Sequence, residues 1–290
     1  MIKGVDVGNF ATKDELGNNF ESKISLVPNV IDNKYTLEIN NEVYYLGEGE
    51  FDTEYRKVNK RSYLKLLYGI LSISSTKETN EIDLVLGLPI TQYKNDKELL
   101  KNLINENYYM DGYLNGDRKK IIIRDCEVYL EGIAGLPKDY EGVGVDIGGR
   151  STDSFFTYIE NGKRKIENAM SLTTGTLNLY SDFINLINNK YSLDLCLKDC
   201  ERIIRRGLTI DGKVIDLTNE KKIFKEYLEG LVSKLNVQYS LKTNKVSFIG
   251  GGSLILKNPI KKLITHSIIS DSARFDNANG FYEYGRGIWE

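Results

Sequence analysis

The nine residues VDVGNFATK (Val5–Lys13) return 140 positions later as VDIGGRSTD (Val145–Asp153). Four of the nine are identical, and Val/Ile and Ala/Ser exchange at two more. The offset is close to half of a 290-residue chain. A repeat placed this way predicts two similar halves, each opening on a strand that ends in Asp-x-Gly. The length fits one large domain or two medium ones. A chain of this size buries roughly 75% of its unfolded surface, so its core needs no disulfides.

Short apolar runs alternate with helical periodicity along the rest of the chain. Strands are predicted over Ile2–Val7, Val43–Gly47, Asp83–Leu88, Lys120–Arg124, Gly142–Ile147, Ser154–Tyr158 and Val246–Ile249. Helices are predicted over Ser62–Ser72, Lys94–Asn107, Leu177–Lys190, Leu197–Arg206 and Asn219–Gln238. The fourth helix stops at Gly207, a C-terminal cap. The fifth carries one apolar stripe from Phe224 to Leu235, read as core. Strands mixed with helices throughout make the fold class α/β.

An Asp-x-Gly turn between two strands has a chemical use. Glycine lets successive backbone N–H groups converge on one point, and such a nest binds phosphate oxygens. The aspartate before it can hold a hydrated Mg²⁺ beside them, since magnesium prefers oxygen ligands and keeps several waters. Asp6 with Gly8, Asn9 and Phe10 forms one such half-site. Asp146 with Gly148, Gly149, Arg150, Ser151 and Thr152 forms the other. Lys13, seven residues beyond Asp6, can return to the phosphates as a point charge. Two facing nests would grip a nucleoside triphosphate; the bland alternative is two ordinary hairpin turns. A third cluster, Gly250, Gly251 and Gly252 after the strand Val246–Ile249, allows close approach to a flat ligand such as an adenine ring. Glu131 precedes a small-residue stretch between the halves. On its own it reads first as a solvated glutamate at a helix start, with a base or water positioner facing the cleft as the alternative.

Other features exclude more than they assign. GLTIDGKV (Gly207–Val214) matches G-x-x-x-x-G-K but has Val214 where a P-loop needs Ser or Thr, so it reads as a hairpin with Asp211–Gly212 at its turn. Cys126, Cys196 and Cys200 form no disulfide framework and fit reduced thiols. With a single histidine in the chain, Cys196 and Cys200 make no metal site. The net charge of −2 does not favour unspecific binding to nucleic acid or anionic membrane. The first strand begins at Ile2, which leaves no secretory leader before it, and no apolar run approaches a membrane span. The basic clusters Arg56–Arg61, Arg118–Lys120 and Arg202–Arg206 read as solvated faces, with a protein contact as the alternative.

Together these pieces resemble the actin/Hsp70/sugar-kinase ATPase superfamily, and within it the plasmid-segregation actin-like proteins of the ParM/StbA type. The matching pieces occur in family order: GVDVGNFATK, LVLGLPITQY (Leu84–Tyr93), YLEGIAGLP (Tyr129–Pro137), GVDIGGRSTD, TTGTLNLY (Thr173–Tyr180), CERIIRRG (Cys200–Gly207), FIGGGSLIL and the tail RFDNANGFYEYG (Arg274–Gly285). The resemblance implies two RNase H-like α/β domains around a central nucleotide cleft, with reduced outer subdomains. Residues 1–140 plus 276–290 would form domain I and residues 141–275 domain II. It implies ATP, or GTP, with Mg²⁺ organised through water by Asp6 and Asp146. Glu131 would orient the hydrolytic water, making Glu131, Asp6 and Asp146 the catalytic set. Gly175 would line the phosphate region, Glu201 would contact the ribose, and Gly250–Gly252 would flank the adenine. Arg150 departs from the pattern, where many relatives have a small residue; it is assigned to the phosphates or to closing the cleft.

The activity so implied is ATP-driven assembly into dynamic cytoplasmic filaments that segregate plasmid DNA. The partners would be further copies of the chain and a DNA-binding adaptor on a centromere-like site, with no direct nucleic-acid or membrane binding. A small-molecule kinase and a non-hydrolysing scaffold of the same fold are the alternatives.

Overall fold

The computed structural model describes residues 1–29 and 34–290. The first part of the chain runs β1 (Ile2–Val7), β2 (Ala11–Asp14), β3 (Asn19–Glu21), β4 (Lys23–Ser25), β5 (Thr36–Ile39) and β6 (Glu42–Phe51). A 3-10 turn (Lys57–Asn59) leads to α1 (Tyr63–Ile73), β7 (Thr79–Leu88), α2 (Ile90–Glu106), β8 (Tyr109–Leu114) and β9 (Asp117–Leu130). The second part runs β10 (Gly142–Ile147), β11 (Thr152–Glu160), β12 (Lys163–Leu172), α3 (Thr176–Tyr191), α4 (Leu197–Arg206), β13 (Leu208–Ile210) and β14 (Lys213–Ile215). It ends with α5 (Lys222–Gln238), β15 (Val246–Ile249), α6 (Gly251–Ile255), α7 (Lys257–Leu263), β16 (Ile268–Ile269) and α8 (Asp276–Trp289).

Two sheets carry the fold. The first has the order β3-β2-β1-β7-β9-β8-β5-β6-β4, the second β12-β11-β10-β15-β16, and β13–β14 is a separate hairpin. Both centre on one arrangement: an antiparallel pair, β1–β2 or β10–β11, whose first strand lies parallel to a third, β7 or β15. The repeat read in the sequence is therefore a repeat of this three-stranded unit. Strand pairing sets the residue seven positions after each aspartate directly opposite it, Lys13 across from Asp6 and Asp153 across from Asp146.

Alternate residues of a strand face opposite sides, and β1 uses both. Val5 and Val7 join a core with Leu66, Leu67, Ile70 and Leu71 of α1. Gly4 faces the other way, onto α8. A Cβ there would lie 2.3 Å from the Ala278 carbonyl oxygen, and one at Gly280 would lie 1.8 Å from that of Ala134. Only glycines let the C-terminal helix sit this close. The second sheet packs β10 and β15 against α3, α4, α5 and α7 in its own core, including Phe183, Ile187, Leu228 and Leu235.

Most predicted elements are present, with differences at their ends. Strands Ile2–Val7, Gly142–Ile147 and Val246–Ile249 and helix Leu197–Arg206 have the bounds read from the sequence. The helix read from Lys94 starts at Ile90, directly after Pro89, which sits at its N-cap. The helix read from Asn219 starts at Lys222. Asp211 and Gly212 both take positive φ, as the hairpin turn requires. Among the described residues, no helix is long and apolar enough to cross a membrane.

Candidate functional site

The β1–β2 and β10–β11 turns meet across the space between the two sheets. Each is closed by one backbone bond, Gly8 N–H to the Ala11 carbonyl (3.2 Å) and Gly148 N–H to the Ser151 carbonyl (2.9 Å). Among the described residues, the N–H groups of Asn9, Phe10, Gly149 and Arg150 donate to no protein acceptor. The turns touch where a Cβ on Gly149 would lie 2.8 Å from Cβ of Phe10. The Phe10 ring stacks on Phe51 (5.5 Å between centroids) and meets Tyr180 edge-on (6.1 Å). The second turn is tied to the start of α3, whose Thr176 and Leu177 N–H groups donate to the Gly148 and Gly149 carbonyls at 3.0 and 2.8 Å.

The third turn follows β15. Gly250 has φ +80°, and its N–H donates to the Ala273 carbonyl at 3.0 Å. The three turns line one cleft. Asp6, Glu131, Asp146, Asp153 and Glu201 line it with Lys13, Lys57 and Arg274.

Charges inside the cleft are buried and interlocked. Asp6 sits between Lys13 (2.7 Å) and Lys57 (3.5 Å), and Lys57 also pairs with Glu131. Lys57 is only 1% exposed. Burial would raise the Asp6 carboxyl, but the two ammonium groups outweigh it and hold Asp6 below the usual carboxylate value. Burial raises Glu131; Lys57 opposes this, and the Asp6 and Asp146 charges reinforce it. Lys57 itself stays charged: burial works against its proton, but Glu131 and Asp6 prevail. Burial pushes Asp146 up to about 6, partly opposed by its hydrogen bond from Asn277 and reinforced by Asp153 and Asp6. Asp153 is likewise pushed to about 6 by burial, and its Oδ1 has no hydrogen-bond partner among the described residues. Asn277 of α8 ties the parts together, donating to Asp146 Oδ2 (2.9 Å) and accepting from Gly132 N–H (2.8 Å).

Of the residues singled out in the sequence, Asp6, Gly8, Asn9, Phe10, Lys13, Glu131, Asp146, Gly148, Gly149, Ser151, Glu201 and Gly250–Gly252 all line this cleft. Arg150, Thr152 and Gly175 do not. Thr152 is buried, its hydroxyl bonded to the Thr174 carbonyl and to the Tyr227 hydroxyl. Gly175 backs the second turn; a Cβ there would lie 2.6 Å from the Gly149 carbonyl. Arg150 turns away and donates from Nη1 to the Thr53 carbonyl at 2.7 Å.

One basic cluster needs correction. Arg56–Arg61 is not a solvated face, because Lys57 is buried at the cleft, Lys60 is buried against Asn9 of the first turn and Arg56 forks onto Asp96. The signal available in sequence was only a charge run. In the other two clusters the arginines are exposed and locally paired, Arg118 with Asp111 and Arg202 with Asp199, while Lys119 and Lys120 are half-buried. Asp153, Asn277, Tyr180 and Arg274 also line the cleft without having been singled out.

Two related α/β units, each presenting an Asp-bearing turn to a shared cleft, define the actin-like class. Residues 4–133 match the N-terminal domain of actin like proteins, and residues 144–262 match the C-terminal domain of the archaeal actin homologue, MreB-like. The chain belongs to the actin-like proteins. Among solved structures it is similar to a ParM from Clostridium botulinum in a 15-stranded filament, with TM-score 0.83, 20% identity and 99% of both chains covered. It is also similar to an archaeal actin homologue in complex with ADP, with TM-score 0.83, 15% identity and 99% of both chains covered. A non-polymerisable quadruple mutant of pCBH ParM matches with TM-score 0.80, 18% identity and 99% of both chains covered. No curated protein sequence matches the chain.

Proposed function

We propose that this chain is a cytoplasmic ATPase that polymerises into dynamic filaments and segregates plasmid DNA, with nucleotide hydrolysis driving filament turnover. One observation carries the nucleotide reading: two equivalent turns face one cleft, and each holds a buried aspartate beside N–H groups that have no protein acceptor. Such amides suit phosphate oxygens. The buried, mutually repelling carboxylates Asp6, Asp146 and Asp153 suit a divalent cation between them and the phosphates. Among the described residues no group of three or more His, Cys, Asp or Glu is placed to cage a metal; Mg²⁺ characteristically takes its remaining ligands from phosphate and water.

Each residue then has a part. Asn9, Phe10 and Gly149 offer backbone donors to the phosphates, with Gly8, Gly148 and Ser151 shaping the turns. Lys13 and Lys57 supply positive charge. Asp6 and Asp146 would hold Mg²⁺ through water, and the ion would supply neutralisation of phosphate charge. Glu131, held by Lys57 at the cleft wall, orients the attacking water and accepts its proton. Gly250–Gly252 leave room for the base, with Glu201 on the ribose side. The two units divide as 1–140 with 276–290 and 141–275.

The filament reading rests on similarity to the Clostridium botulinum ParM filament, and the nucleotide reading also on the archaeal homologue with ADP. ATP is the preferred nucleotide, with GTP the competing one. The remaining partners are further copies of the chain and a DNA-binding adaptor on a centromere-like plasmid site. Sedimentation of the purified chain with Mg-ATP, Mg-GTP, Mg-ADP or no nucleotide tests this. Pelleting with triphosphate alone supports the proposal. Equal pelleting under all four conditions contradicts it.

A further inference from the structure

The bulky Arg150 in the second turn and the buried Lys57 are not in contact, yet both act on one segment of chain. Asp52–Lys60 crosses from the end of β6 to the start of α1. Its ends are drawn together by Asp52, whose carboxylate accepts from Glu54 N–H at 2.9 Å and from the Ser62 hydroxyl at 3.1 Å. Its middle is clamped on α2. Gln92 accepts from Lys57 N–H and donates to the Tyr55 carbonyl, both at 3.1 Å, while Arg56 Nε donates to Asp96 at 3.1 Å.

From this strap, contacts reach Glu131, Asp6 and both Asp-bearing turns. Lys57 holds Glu131 and Asp6. Lys60 donates to the Asn9 side chain in the first turn. The Thr53 carbonyl accepts from Arg150 of the second turn, across the gap between the two units.

We propose that this strap couples closure of the cleft to alignment of Glu131: Arg150 latches the second turn onto the strap at Thr53, and Lys57 is the positioning residue that fixes the Glu131 carboxylate. The proposal rests on the nucleotide reading above. Lys57 occupies one oxygen of Glu131, so the carboxylate has a defined orientation and its other oxygen is free for water. A buried lysine shared by two carboxylates is held firmly, because breaking such a pair leaves an uncompensated charge. The latch is its weakest link. It is a single hydrogen bond at a partly exposed guanidinium, and opening the cleft breaks it. Position 150 matches Phe10 in the repeat, so each turn sends one bulky side chain to the end of β6 or the strap: Phe10 onto Phe51, Arg150 onto Thr53.

The test uses the full chain with Mg-ATP and the variants Arg150→Ala, Arg150→Lys, Lys57→Met and Arg150→Ala/Lys57→Met. Affinity for a fluorescent ATP analogue and single-turnover phosphate release are measured for each. Arg150→Ala should slow release roughly tenfold while leaving affinity within about threefold, a loss in rate rather than binding. Arg150→Lys keeps a donor for the Thr53 carbonyl and should recover most of the rate. Lys57→Met should slow release roughly a hundredfold, and the double variant should be no slower than Lys57→Met alone.

Additive losses would overturn the coupling. An affinity loss for Arg150→Ala that matches its rate loss would make Arg150 a phosphate contact instead of a latch. Unchanged release in Arg150→Ala would remove the latch outright, and that variant decides the matter if Lys57→Met does not fold. A wild-type chain that binds no nucleotide overturns the functional reading and the strap together; normal wild-type turnover with insensitive variants overturns the strap alone.

Discussion

Replacing Gly250 by alanine puts a methyl group where the third turn has no room. Gly250 holds φ +80° with ψ 161°, a region essentially reserved for glycine that costs an L-residue about 1–3 kcal/mol. The new Cβ would lie 2.2 Å from Asp146 Oδ1 and 2.7 Å from the Ile147 carbonyl oxygen. Neither yields freely: Ile147 ends a central strand, and Asp146 is 7% exposed with its other oxygen bonded to Asn277. Turning that carboxylate aside gives up a hydrogen bond to a charged group, about 1.5–3 kcal/mol. Gly250→Ala should therefore lose roughly 3–5 kcal/mol, in the upper tail for one substitution. Gly251→Ala is the matched control, since its Cβ would find only Arg274 Nε, at 4.0 Å. It is the first residue of α6 and has no positive φ, so the substitution should be neutral or gain up to roughly 1 kcal/mol. Urea unfolding of the nucleotide-free chain, followed by far-ultraviolet circular dichroism, compares the two. Equal midpoints would refute the packing assigned to Gly250 and Asp146.

Glu131→Gln should keep ATP-dependent assembly and slow phosphate release by roughly 10²–10⁴-fold; wild-type release in that variant would take Glu131 out of the mechanism. Gly4→Val should destabilise the chain by roughly 3 kcal/mol or more through clash with α8, read by urea midpoint, and an unchanged midpoint would contradict the close strand–helix contact. Burial, with Lys57 and Arg150 nearby, pulls the Lys60 ammonium down to about 8. An unfolded chain keeps that proton to the ordinary lysine value, so this group makes folding more favourable as pH rises from about 8 towards 10.5. Carbon NMR of reductively methylated lysines should find one residue titrating near about 8 that is missing in Lys60→Met; lysines all titrating at the ordinary value would contradict its burial.

The turns were legible because strands buried on both faces read as unbroken apolar runs, and glycines mark where such runs must stop. Asp6, Asp146 and the three glycine clusters could be found from that pattern alone. Lys57 could not, since a lysine in RKVNKR differs from a solvated one only once β1 and the chain after β9 bring Asp6 and Glu131 beside it. Asp153 lay inside the repeat, but the pairing of β10 with β11 was needed to set it opposite Asp146. The edge strand β12 was missed because it is mostly exposed and charged, as suits an edge that must resist pairing. α8 was not read as a helix because Gly280, Gly285 and Gly287 argue against one locally; at Gly280 it is tertiary contact, not propensity, that needs the small residue. Thr152 was placed in the cleft as part of the second nest and Gly175 by resemblance, and the packing of the second unit puts both just behind it.

The most direct test of the central claim mixes the purified chain with Mg-ATP and follows light scattering and phosphate release together. Scattering should rise at once and then decay as phosphate is released, because nucleotide favours assembly and its hydrolysis undoes it. Phosphate transferred to a small metabolite with no rise in scattering would contradict a filament-forming ATPase, and so would a lasting rise in scattering with no phosphate released.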